Sequence, residues 1–156
     1  MSRVLSVFAC VMMLSGCPAG AGVDVVTVLT HGNCGRSIDG VEIVDFTEVA
    51  NLRPSTRLIG MEQSPTSPEE GVLLIAIGQG TRPTPGYGLA VAKPGTLLDG
   101  TLTVFVAEKM PPEDAVMAQM LTQPCLVVGV PEAGVRNVVA KTADGTMIGE
   151  AAITAR

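Results

Sequence analysis

The chain has no tryptophan, one tyrosine, one histidine and three phenylalanines in 156 residues. So few aromatics remove the platforms on which unpaired bases stack. Ten Lys and Arg against fifteen Asp and Glu give a net charge of −5 and deny the basic patches that phosphates need. Nucleic acid is therefore excluded as a partner, and the same acidity excludes electrostatic binding to anionic headgroups. With one histidine, a catalytic imidazole could only be His31. Ser37 and Asp39 lie close by in sequence, but a Ser-His-Asp set is normally assembled from distant segments rather than crowded into one loop. There is also no G-x-S-x-G elbow. His31 is read as a surface turn residue, no catalytic residue is assigned, and the chain is expected not to be an enzyme.

No apolar run approaches the roughly 20 residues that span a bilayer as a helix. The N-terminus instead carries one basic residue, Arg3, then a short apolar run from Val4 to Leu14, the pattern of a secretory leader. It ends in Leu14-Ser15-Gly16-Cys17, which matches the bacterial lipobox. Residues 1–16 are expected to be a lipoprotein signal peptide, with Cys17 as the acylated residue (palmitate among its chains) and 17–22 as a short tether. Several acyl chains on one cysteine anchor stably where a single chain would be marginal. Pro18 stands where Asp would signal retention, so an outer-membrane location is expected in a Gram-negative cell.

Of the four cysteines, Cys10 lies in the leader and Cys17 is consumed by lipid. An even remainder, Cys34 and Cys125, in an exported chain reads as one disulfide, with two free thiols packed as small hydrophobes as the alternative.

What is abundant is short β-branched and apolar runs between turn residues. Strands are expected over 23–29, 41–46, 55–61, 72–77, 87–92, 102–109 and 125–130, and a hairpin over 135–142 and 146–153 about Asp144-Gly145. Residues 63–71 read as a solvated loop, and TEVANL (47–52) as a short helix with Thr47 as its cap. VLLIAI (72–77) is apolar throughout and should be buried on both faces. In YGLAVA, Tyr87, Leu89 and Val91 share one face. Gly88, Ala90 and Ala92 share a smooth one that would admit a close neighbouring backbone. The expectation is one mainly β domain over 23–156, an antiparallel sandwich or partly closed barrel with at most one or two short helices and an aliphatic core.

The lone tyrosine sits in GQGTRPTPGYG. Pro85 and Gly86 suit the central positions of a type II turn, and Tyr87 opens the next strand. Together with TLTVFVAEKMP and TQPCLVVGVP, this stretch resembles the C-terminal domain of the protease complex subunit PrcB. The matching positions are Gly80, Arg82, Pro83, Thr84, Gly86, Tyr87, Thr122, Pro124 and Pro131, within a core of about 60 residues, 71–131. The resemblance implies a subunit that helps assemble an envelope protease complex without being the protease.

Other chemistry is thinly represented. His31 and Cys34 lack the second pair that zinc needs. Met110, Met117 and Met120 could supply thioethers to copper(I), although Met117 and Met120 would share a face only on a helix. Glu69-Glu70 and Glu113-Asp114 read as solvated pairs, and Gly78-Gln79-Gly80 has no Lys-Ser/Thr behind it to make a phosphate cradle. No metal or cofactor is assigned. The expected function is a lipid-anchored envelope protein that binds or stabilises another envelope protein. Arg82, Pro83, Thr84, Gly86 and Tyr87 form its contact turn, since Arg and Tyr are enriched at interface hot spots. A small-ligand or copper(I) module in the periplasm is the alternative.

Overall fold

A computed structural model describes residues 20–52 and 71–154. The leader, Cys17, the strand expected over 55–61 and all but the last residue of the loop expected over 63–71 lie outside the described residues. Among the described residues, nine strands and one helix follow in the order β1 (Ala21–Val23), β2 (Val26–His31), β3 (Asp39–Val44), α1 (Phe46–Asn51), β4 (Val72–Gln79), β5 (Gly88–Leu98), β6 (Thr101–Lys109), β7 (Cys125–Pro131), β8 (Asn137–Thr142) and β9 (Met147–Ala152). They form two sheets, β1-β5-β6-β8-β9 and β2-β7-β4-β3. The expected mainly β sandwich is what is observed, without a closed barrel.

The sheets touch at both corners without joining into a ladder. At one corner the Thr30 hydroxyl donates to the Leu89 carbonyl at 2.7 Å. At the other, Gly149 lies against Gly40, and a methyl group on Gly149 would fall 2.7 Å from Gly40 Cα. Only glycine allows this backbone approach. The smooth face of β5 does not serve that purpose, because Ala90 and Ala92 are exposed.

VLLIAI is buried on both faces, as expected, because two cores share β4. Leu73, Ile75 and Ile77 enter the core between the sheets with Leu102, Val104, Val106, Leu126, Val128 and Val138. Leu74 and Ala76 enter a second core outside the four-stranded sheet, covered by Val49 and Leu52 of the α1 region and by Cys34 and Ile38 of the 32–38 loop. The largest fully buried side chains are all Ile, Leu and Val.

Several expectations need correction. The 23–29 run is not one strand. It changes sheet at Asp24-Val25, with Val23 opposite Gly95 in one sheet and Val26 opposite Gly129 in the other. Ala21 and Gly22, expected to belong to a tether over 17–22, are part of β1 and pair with Leu97 and Thr96. Thr47 is not the helix cap. Asp45 is, through a capping box in which its carboxylate accepts from Glu48 N–H and the Glu48 carboxylate accepts from Asp45 N–H, both at 2.8 Å. The sheets are not wholly antiparallel either, since β6 and β8 pair in parallel. Between them the chain crosses to the other sheet as β7 and returns, and two reversals restore the original direction. Finally, β5 runs on through Lys93-Pro94-Gly95. Register shifts between Val91 and Thr96 interrupt its ladder with β6 there, so a proline without an N–H is tolerated.

The hairpin about Asp144-Gly145 forms as expected. The Asp144 carboxylate accepts from the hydroxyls of Thr142 and Thr146, and the Thr142 hydroxyl above all holds its pKa below the ordinary carboxylate value.

Candidate interaction surface

The turn after β4 is not a hairpin. It carries the chain from one sheet to the other, and its geometry depends on a strand-like partner far along the sequence. Arg82 N–H donates to the Thr122 carbonyl at 2.7 Å, and Thr122 N–H donates back to the Arg82 carbonyl at 2.8 Å. The Thr122 hydroxyl donates to the Thr84 carbonyl at 3.0 Å. Thr122 is 4% exposed, the one buried polar side chain among the described residues. Burial without partners would be costly, and here the hydroxyl and both main-chain groups are engaged. Two separate stretches of the sequence motif, 80–87 and 122–124, are thus one clasp.

Gly86 has φ +99°, the conformation a type II turn asks of its third residue. A methyl group there would lie 2.9 Å from Pro111 Cβ and 3.1 Å from Met117 Cε. Glycine is needed twice over, for the dihedral and for the close passage of the 110–121 segment. Arg82 lies over the Tyr87 ring, with Cζ 5.2 Å from the centroid, a cation–π contact. Its Nε is buried and has no hydrogen-bond partner among the described residues. Pro83 is exposed, while Thr84 and Tyr87 are half-buried. Tyr87 lines an open cleft of about 460 Å³ with Thr84, Met110, Pro111, Pro112 and Met117. The ring is therefore wedged rather than free.

Beyond the clasp, residues 110–121 run without regular structure and present Met110 (71% exposed), Val116 (102%), Met120 (54%) and Leu121 (70%) to solvent. Sequence reasoning singled out the methionines of this segment for copper and read Glu113-Asp114 as a solvated pair, but did not mark its exposed apolar residues as a surface. The missed signal is a long apolar-rich stretch, MPPEDAVMAQML, with no period to make it a strand or helix. Its lack of a helix separates the faces of Met117 and Met120, and Met117 is packed against Gly86. No group of three His, Cys, Asp or Glu is placed to hold a metal among the described residues.

Cys34 and Cys125 form a disulfide with Cα atoms 6.0 Å apart across 91 residues of sequence. Cys34 N–H also donates to the Gln123 carbonyl at 2.8 Å, so the bond pins the 32–38 loop beside the clasp. His31 Nδ1 accepts from Asn33 N–H at 2.9 Å, and Ser37 Oγ accepts from the Thr81 hydroxyl at 3.3 Å. No hydrogen bond joins His31 to Ser37 or Asp39 among the described residues. Gly80 N–H is committed to the Ile38 carbonyl at 2.7 Å, which leaves it unavailable to a phosphate.

The chain from β4 to β7 is the part that comparison with known proteins identifies. Residues 73–131 match the PrcB C-terminal family. No curated protein and no solved structure matches the chain. The PrcB C-terminal segment takes in nearly all of β4 and the whole of β5, β6 and β7, central strands of both sheets, together with the clasp and the exposed 110–121 stretch. The strands β1–β3, the helix and the β8–β9 hairpin lie outside it and complete the sandwich around it.

Proposed function

We propose that the protein is a lipid-anchored, non-enzymatic component of the cell envelope that binds or stabilises another envelope protein, such as a protease complex. The observation that carries this reading is the clasp. Within the PrcB C-terminal segment, the Arg82–Tyr87 turn is bonded to Thr122 and held rigid at the surface, with an open cleft of mixed polar and apolar lining beside it. Rigid presentation lowers the ordering cost of binding. The anchor in this reading is acylated Cys17, with the protein held in the outer membrane where the cell has one. No helix among the described residues is long and apolar enough to cross a membrane.

The test has two parts. Mass spectrometry of the native N-terminus should find acyl chains on Cys17, and Cys17→Ser should release the protein from membranes. Arg82→Ala removes the cation–π contact while leaving the main-chain bridge to Thr122 intact. It should lower the melting temperature only slightly and reduce co-purification of the partner from envelope extracts. An Arg82→Ala variant that changes neither removes the turn from the contact surface. A second reading, a small-ligand module, draws on the cleft beside Tyr87. Ligand-induced thermal stabilisation that Tyr87→Ala abolishes would favour it.

A further inference from the structure

The clasp holds its own residues largely inward. Arg82 and Tyr87 face each other, and Thr84 and Gly86 are used up by Thr122, Pro111 and Met117. What it leaves facing outward is the segment that follows β6. Four of the seven exposed large hydrophobic residues of the described chain, Met110, Val116, Met120 and Leu121, fall in this one stretch. Isolated exposed apolar residues are ordinary, but four within twelve residues concentrate exposed apolar area in one segment, as contact surfaces do.

We infer that residues 110–121 dock a protein whose face has an apolar centre bordered by Lys or Arg. Deepening the proposed interaction role, this inference rests on it. Charge selects the occupant. The stretch carries Glu113 and Asp114 and no basic residue. A second copy placed on it symmetrically would set like charges opposite one another, and an anionic bilayer would be repelled in the same way. A basic border satisfies both carboxylates while apolar groups meet at the centre.

Placement in the fold agrees. The described chain begins at Gly20, packed against Leu97 and Leu98 at the end of β5. The clasp and the 110–121 stretch are at the other end, beyond Gly88 and Lys109, which are paired. An 11-residue strand separates the two ends, about 33 Å at the usual rise per residue. A chain tethered through its N-terminus therefore offers this surface away from the tether, to the extramembrane part of a partner.

The experiment places a photo-crosslinking residue at position 116 of the full-length chain in its own cells, with control positions 83 in the turn and 90 on the outer face of β5. Position 116 should crosslink to one protein, at a peptide bearing Lys or Arg. Leu121→Asp should lower the yield at least tenfold, and Glu113→Lys with Asp114→Lys several-fold. These side chains are exposed, so melting temperatures should not move. Crosslinks to lipid, to a second copy or to nothing, or a yield indifferent to the charge reversals, overturn the inference. If position 83 captures the partner and 116 does not, the turn remains the contact and only this inference fails. Failure at both positions removes the interaction role as well. Capture at 116 from a chain found outside the membrane fraction supports the inference and removes the anchor.

Discussion

The two sheets are built from similar aliphatic residues but are covered differently. In the four-stranded sheet, β4 and β7 are apolar at successive positions because both faces are roofed, one by the opposite sheet and one by α1 and the disulfide-bonded loop. In the five-stranded sheet, β6 alternates. Leu102, Val104 and Val106 are buried, while Thr103 and Phe105 face outward, where Lys93 Nζ lies 3.9 Å from the Phe105 ring centroid. The contrast teaches that the number of covered faces, rather than strand propensity, decides whether a β segment reads as a run or as an alternation.

Breaking the outer cover of the four-stranded sheet should cost most. Cys34→Ala and Cys125→Ala should each destabilise by about 4 to 5 kcal/mol, the chain-entropy figure for a loop of this size, and together by no more than either alone. Chemical denaturation of the three variants checks both the size and the non-additivity. Ile75→Ala, in the inner core of β4, should cost about 3 to 4 kcal/mol. Lys93→Ala on the wet face of the other sheet should cost about 1 kcal/mol or less, and an equal loss at both sites would erase the contrast. Asp45→Ala, which opens the capping box of the roofing helix, should cost about 1 kcal/mol by thermal melting.

The smallest effect is expected at the β8–β9 turn. Asp144 has a lowered folded pKa, so its contribution is complete above the ordinary carboxylate pKa and is lost as pH falls through the folded value. Asp144→Asn should lower neutral-pH stability slightly and leave stability below the folded value unchanged, which flattens the acid limb of stability against pH.

Much of this was legible in the sequence, for reasons visible in particular residues. VLLIAI announced two covered faces, Asp144-Gly145 announced a hairpin, and two cysteines left over in an exported pattern announced a bond. What was not legible is pairing at a distance. Asp24-Val25 looks like the middle of a strand, because local pattern does not say that Val23 meets Gly95 while Val26 meets Gly129. The parallel pairing of β6 with β8 depends on where β7 goes. Thr122 looks like an ordinary loop threonine until Arg82 lies opposite it. The Asp45 cap was readable from D-x-x-E, but its place at the end of a strand run concealed it.

The position of β7 has a consequence for the order in which the fold can assemble. It is the hydrogen-bonded neighbour of both β2 and β4, and it carries the second cysteine. During synthesis β2 emerges on the order of a hundred residues ahead of it, an interval of roughly 5 to 20 s at ordinary elongation rates. Throughout that time β2 and Cys34 lack the strand and the cysteine that partner them in the fold, and of its two neighbours in the sheet β4 has only β3. A chain cut just before residue 125 keeps the strands that pair β3 with β4 and most of β5 with β6, but lacks the strand and the cysteine that hold β2 and the 32–38 loop to them.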